Sequence, residues 1–206
     1  MRVTKIVVGP LATNCYLAES DGQAVIIDPG AEPETILSFI ENNGIEPKII
    51  LATHGHFDHI LAVSELREYL HIPFIMSIKD TFLVDQFRES VKKFLNMDIE
   101  KIPKPDSFIS GGSRISIGSE TIIVLETPGH TPGSCSFRSG NVLFTGDFIF
   151  RGSIGRMDFG GSKDDMRSSL KILLEMDNDV LIYPGHGPES SIGREKNQNP
   201  FILGEF

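Results

Sequence analysis

The segment Ala52-Thr53-His54-Gly55-His56-Phe57-Asp58-His59 decides how this chain of 206 residues is read. It follows an apolar run at 48–52 that suits a β-strand and then alternates His54, His56 and Asp58. In extended backbone such alternate side chains point to one side. His59 opens the next helical pattern, from which its imidazole can reach a neighbouring position. One short segment can therefore present two donors to one metal ion and two to another.

Working outward, three later segments repeat the same grammar of an apolar strand that delivers a donor at its end. Leu125-Glu126-Thr127-Pro128-Gly129-His130 places His130 in a Pro-Gly turn, Phe144-Thr145-Gly146-Asp147 ends on a carboxylate, and Ile182-Tyr183-Pro184-Gly185-His186 ends on another histidine. The sixth histidine, His71, lies outside every motif and reads as a surface residue. Imidazole nitrogens and carboxylate oxygens without a cysteine among them suit zinc, and also iron or manganese. Seven donors exceed the needs of one tetrahedral ion. They match two divalent ions about 3.5–4 Å apart that share a carboxylate and a hydroxide. The expected assignment is His54, His56 and His130 on the first ion, Asp58, His59 and His186 on the second, and Asp147 between them. Asp58 is expected to orient the hydroxide as well, which gives it a catalytic role.

The bulk properties bound the alternatives. Hydrophobic residues make up 40% and charged residues 23%, an ordinary globular balance, so one domain over residues 1–206 is expected. A net charge of −9 with no Lys/Arg-rich run argues against nucleic acid as a partner. The partner expected is a small-molecule thioester or ester. Cys15 and Cys135 form no CxxC pair, so a disulfide framework is not expected and a reducing compartment is the simpler setting. The start has only a short apolar stretch before Gly9-Pro10, too short for a signal segment, and no run approaches the ~18 apolar residues of a membrane span. A cytoplasmic protein is expected, with no membrane partner.

Turn residues and apolar periodicity predict strands at 3–8, 15–19, 24–27, 48–52, 73–77, 108–109, 114–117, 121–126, 134–138, 141–145 and 180–183. They predict helices from Pro33 to Gly44, over 60–70, over 80–95, and a last one after a capping box at Ser162-Lys163-Asp164-Asp165. Helices separate the two strand groups, so the class is mixed α and β. Three features stay open at this level. Arg156 can attract an anionic substrate group or brace its loop through Asp158. Asp28 can hold a ligating histidine through its second nitrogen or form the Asp-Pro-Gly turn. Phe148 and Phe150 can line a pocket or pack in the core.

These segments resemble the metallo-β-lactamase superfamily, whose signature is Thr-His-x-His-x-Asp-His followed by single His, Asp and His ligands. Thr127-Pro128-Gly129-His130-Thr131-Pro132-Gly133 and Thr145-Gly146-Asp147 look most like its glyoxalase II branch, which hydrolyses glutathione thioesters such as S-lactoylglutathione. The resemblance runs from Asp28-Pro29-Gly30 to Pro184-Gly185-His186-Gly187-Pro188. It implies a four-layer αββα sandwich of two mixed sheets with helices outside, and attack on a thioester by metal-bridging hydroxide. Two departures stand out. Ile60-Leu61 replaces the small residues that often follow the last histidine of the cluster, which reads as a packing variation. The chain also ends without the additional helical domain of full-length glyoxalase II. It resembles the short glyoxalase II-like hydrolases, through 150–158 and the tail at 195–201. Within the superfamily the competing expectations are a mononuclear iron persulfide dioxygenase and a lactonase or β-lactamase. A flavodiiron-type reductase is disfavoured because position 56 is His rather than Glu.

Overall fold

The computed structural model describes residues 1–204. The first sheet contains β1 (Arg2–Val8), β2 (Thr13–Ser20), β3 (Gln23–Ile27), β4 (Glu46–Leu51), β5 (Phe74–Ser77) and β6 (Ser107–Ile109), in that spatial order. The second contains β7 (Arg114–Ile117), β8 (Glu120–Glu126), β9 (Cys135–Ser139), β10 (Val142–Gly146), β13 (Leu181–Pro184) and β14 (Ser190–Ser191), in the order β14-β13-β10-β9-β8-β7. A small hairpin of β11 (Ile149–Phe150) and β12 (Ser153–Ile154) stands between β10 and β13 in sequence. Both large sheets are mixed. In the first, β3, β4, β5 and β6 run parallel; in the second, β10 and β13 do.

Strand alternation shows why the sheets stack. In β3, Ala24 and Ile26 enter one core while Val25 and Ile27 enter another. In β10, Leu143 faces a third core while Val142 and Phe144 join the second. Strands apolar on both faces are strands covered on both faces. The middle core lies between the two sheets. The outer cores are capped by α1 (Pro33–Asn43), α2 (Phe57–Ile60), α3 (Val63–Leu70) and α5 (Phe87–Leu95) on one side, and by α6 (Lys163–Leu174) and α7 (Ile192–Gln198) on the other. The result is the four-layer αββα sandwich expected from the sequence.

Several boundaries differ from the sequence reading. The helix expected over 60–70 begins earlier, as α2, and breaks at Leu61–Ala62 before α3 resumes. Ile60 is fully buried in the first core, so the departure after His59 is a packing change. The stretch expected as one helix over 80–95 is a 3-10 turn (Ile78–Asp80), then α4 (Thr81–Asp85), then α5. The helix after Ser162 is capped as expected, with the Ser162 hydroxyl accepting from the Asp165 amide, but it is not the last. Two short helices follow, α7 and α8 (Pro200–Leu203), the second started by Pro200 behind an Asn199 cap. His71 is an αL cap at the end of α3, with φ 55°, and is exposed. Phe148 is fully buried in the third core, while Phe150 is partly exposed with its ring centroid 6.3 Å from that of His186. Both cysteines are buried free thiols.

The break at Asp80 has a structural purpose. Its carboxylate is fully buried and accepts from the Gly55 amide (2.9 Å), the Thr131 hydroxyl (2.7 Å) and the Gly133 amide (2.6 Å). Asp80 thus ties the loop of His54 and His56, which leaves the first sheet, to the loop of His130, which belongs to the second. Gly133 is required there because a Cβ would sit 2.5 Å from the Asp80 carboxylate. Asp80→Ala leaves these donors buried without an acceptor and is expected to cost about 3 kcal/mol. Urea unfolding of the metal-stripped protein checks this, and an unchanged midpoint would show that the clamp carries no stability.

Candidate metal centre

The functional side chains sit where strands end at one edge of the sandwich. The end of β4 delivers Thr53 to His59, β3 delivers Asp28, β8 delivers His130, β10 delivers Asp147 and β13 delivers His186. Ligand sites commonly form beyond the carboxyl ends of strands, where loops diverge and backbone groups are free. The sheets meet there directly. The Asn14 amide donates to the Gly185 carbonyl (2.7 Å), and the Asn14 and Tyr16 side chains both donate to the Pro184 carbonyl (2.8 and 2.7 Å).

All seven residues singled out from the sequence converge. Three groups have donor atoms within 4.8 Å of one another: His54, His56 and His130; Asp58, His59 and His186; and His54, His59 and Asp147. The closeness demands small neighbours. A Cβ on Gly185 would lie 2.3 Å from Asp147 Oδ1 and 2.7 Å from His59 Cε1.

Hydrogen bonds to the far nitrogen fix which atom each imidazole turns inward. His59 Nδ1 donates to Asp28 Oδ2 (3.0 Å), His130 Nδ1 to the Arg156 carbonyl (2.6 Å) and His186 Nδ1 to the Leu11 carbonyl (3.1 Å). The Thr53 hydroxyl spends its proton on Asp28 Oδ2 (2.7 Å), so His54 Nδ1 is the donor in its 3.1 Å contact with that hydroxyl. Four imidazoles therefore present Nε2 as a lone pair to the cluster. His56 presents Nδ1 instead, 3.1 Å from His54 Nε2 and 2.9 Å from His130 Nε2. One proton on His56 Nδ1 can satisfy only one of these contacts. His59 Nε2 and Asp147 Oδ1 are buried without a hydrogen-bond partner. Lone pairs that crowd together, with buried acceptors left over, are what a cation site requires, and the donor set fits divalent metal ions.

The electrostatics divide the cluster in two. Burial, and then the neighbouring imidazoles, hold His54 well below the ordinary histidine range. Burial and His130 push His56 down to about 4. For His59 and His186 burial again lowers the value, but the surrounding carboxylates win and raise both. Asp58 and Asp147 are both lowered, because the histidines outweigh burial. Burial thus favours neutral rings at His54 and His56, while the carboxylates around His59 and His186 favour positive charge.

Asp28 resolves into both of its readings. It turns the chain with φ 52°, and its carboxylate accepts from the Thr53 amide, the Thr53 hydroxyl and His59. Arg156 pairs with Asp158 through two hydrogen bonds and lies over the Phe159 ring at 4.8 Å. Its side chain is largely exposed at the rim, while its own carbonyl orients His130. Sequence reasoning missed Asp80, which lies in no motif. Its only local signal is an acidic residue at the end of an apolar strand, and that signal is common. It also missed the wall supplied by α4 and α5. A cavity of about 690 Å³ opens onto His56, Asp58, His130, Asp147 and His186, and Phe82, Lys93 and Phe94 line its far side. Among the described residues no helix is long and apolar enough to cross a membrane.

Comparison with known proteins agrees with this geometry. Residues 8–186 match the family model of the metallo-beta-lactamase superfamily. A probable metallo-hydrolase of Bacillus subtilis is 36% identical, with 99% of each chain covered. Hydroxyacylglutathione hydrolase GloC of Haemophilus influenzae is also 36% identical, with 98% of each covered. The crystal structure of TTHA1623 in a di-iron-bound form superposes with a TM-score of 0.89 at 38% identity, covering 96% of this chain and 99% of that one. The convergent donors, the four-layer sandwich and the full-length matches lead to one statement: this chain belongs to the metallo-beta-lactamase superfamily.

Proposed function

We propose that the protein is a binuclear metal-dependent hydrolase that cleaves a small thioester or ester, with S-lactoylglutathione as the reference substrate. The observation that carries the reading is the set of inward lone pairs, fixed from outside by hydrogen bonds, in two triads with Asp147 beside both. His54, His56 and His130 would hold the first ion. Asp58, His59 and His186 would hold the second, and Asp147 would bridge, with Oδ1 3.4 Å from His59 Nε2 and Oδ2 3.7 Å from His130 Nε2. Zinc is the expected metal, and iron or manganese suits the same donors. When bound, two such ions supply a water of lowered pKa and an electrophile for the scissile carbonyl.

The chain's own groups do the rest. Asp58 faces the cavity with Oδ2 3.3 Å from His186 Nε2 and 3.5 Å from the Thr13 hydroxyl, so it can orient a nucleophilic water. The cavity leads a carbonyl past His56 to that point. Arg156 acts mainly through its backbone: its pairing with Asp158 steadies the loop whose carbonyl aligns His130. Relatives named as a metallo-hydrolase and as a hydroxyacylglutathione hydrolase support hydrolysis of this kind. Two buried free thiols are compatible with a cytoplasmic setting.

Metal analysis alongside assays of S-lactoylglutathione, other thioesters, a lactone and a β-lactam tests the reading. The wild-type protein is expected to hold about two divalent ions per chain, and Asp58→Ala to lose one with a fall of roughly a thousandfold in kcat/KM. One iron per chain with oxygen consumption, or full activity in Asp58→Ala, would sink it. Arg156→Gln is expected to change KM by less than about threefold, as for an exposed local ion pair, in steady-state assays on an anionic thioester.

A further inference from the structure

The cavity that reaches the metal centre has an aromatic wall which the chemistry so far described does not use. Phe57 and Phe94 stack, with centroids 5.5 Å apart and planes at 14°. Phe94 meets Phe159 edge to face at 6.2 Å, and Phe159 meets the ring of His56 edge to face at 6.3 Å. A continuous line of rings therefore leads from a metal-ligand histidine outward. Phe57 is almost buried, yet Phe94 is 50% and Phe159 41% exposed. Exposed phenyl rings that share a concavity with converging polar groups mark a ligand surface more than a solvent face.

Charge at this wall is scarce. Arg156 is paired with Asp158, and Glu89 adds a negative group to the lining. Among the described residues of the lining, Lys93 is the cation left without a carboxylate partner, and its Nζ lies 5.2 Å from the Phe94 centroid. Glutathione carries two carboxylates and an ammonium, three charged groups that such a surface would serve poorly. A nonpolar chain or ring with at most one negative charge would fit it.

We propose that the Phe57–Phe94–Phe159 wall seats an apolar arm of the substrate, aliphatic or aromatic, so that the enzyme selects hydrophobic thioesters or esters over small polar ones. The inference rests on the hydrolase reading, and it commits the wall to a small molecule because the wall is continuous with His56 and the metal-facing groups.

The test uses metal-loaded enzyme and S-acyl-N-acetylcysteamine thioesters with acetyl, hexanoyl and phenylacetyl groups, with S-lactoylglutathione beside them. A companion series keeps the acetyl group and varies the thiol from N-acetylcysteamine to benzyl mercaptan, to locate the arm on either side of the scissile bond. In one series kcat/KM is expected to rise about tenfold or more with the apolar arm, chiefly through KM. In Phe94→Ala and Phe159→Ala that ratio is expected to collapse toward one. Flat ratios in both series, or ratios that both variants preserve, overturn the proposal while hydrolysis stands. If no thioester is turned over, the thioesterase reading fails, and binding of 8-anilinonaphthalene-1-sulfonate still decides the wall. Fluorescence enhancement lost in Phe159→Ala supports it, and enhancement unchanged in that variant overturns it. A Phe94→Ala change that alters the oligomeric state with intact ratios would assign the ring to a subunit contact, and also overturns it.

Discussion

The structure turns on holding like beside like. Two imidazole nitrogens within about 3 Å of a third, and carboxylates beside them, have no reason to stay together by themselves. Four of the five rings stay because each is gripped from outside, by Asp28, by the hydroxyl of Thr53, or by the carbonyls of Arg156 and Leu11. Most of these grips are backbone atoms or side chains already saturated by backbone, so the cluster is as rigid as the sheet ends that bear it. Rigidity of that kind is what lets a site keep its lone pairs free.

Two buried aspartates share the task at different places. Asp28 ends β3 and fixes Thr53 and His59, so it serves the carboxylate-rich half. Asp80 ends the turn after β5 and fixes Gly55, Thr131 and Gly133, so it serves the half that holds His54, His56 and His130. Each carboxylate is surrounded by donors, which is how a buried polar group is tolerated. The glycines are the counterpart of this density. Gly133 gives way to Asp80 and Gly185 to Asp147, so part of the short-range sequence near the cluster is set by the crowding of buried carboxylates against backbone.

Much of this was readable from the chain alone. Donors spaced His-x-His-x-Asp-His after an apolar strand carry their geometry in their periodicity. Pro-Gly and Gly-Asp after later strands carry a second and third instance. The apolar runs at 24–27 in β3 and 142–144 in β10 signal cover on both faces, while the four layers followed only from the family resemblance. Long-range partners were not readable. Asp80 makes its contacts across 25, 51 and 53 residues, and nothing in a single sequence pairs it with glycines that far away. The division of 80–95 into a turn and two helices was hidden because helical periodicity continues through it. The tail helices α7 and α8 were missed because neither is long enough to show a full apolar stripe.

The seam between β2 and the end of β13 has a bearing on how such a chain comes into being. Asn14 and Tyr16 find their partner at Pro184, 170 and 168 residues later. A ribosome that adds about 5–20 residues per second leaves those groups waiting on the order of ten to thirty seconds. Through that interval the N-terminal sheet exists without the neighbour that closes its working edge. The donors from that sheet emerge well before the histidine at 186 that completes them. The candidate centre is therefore completed only once His186 has emerged, and an ion captured earlier would meet an incomplete set of donors.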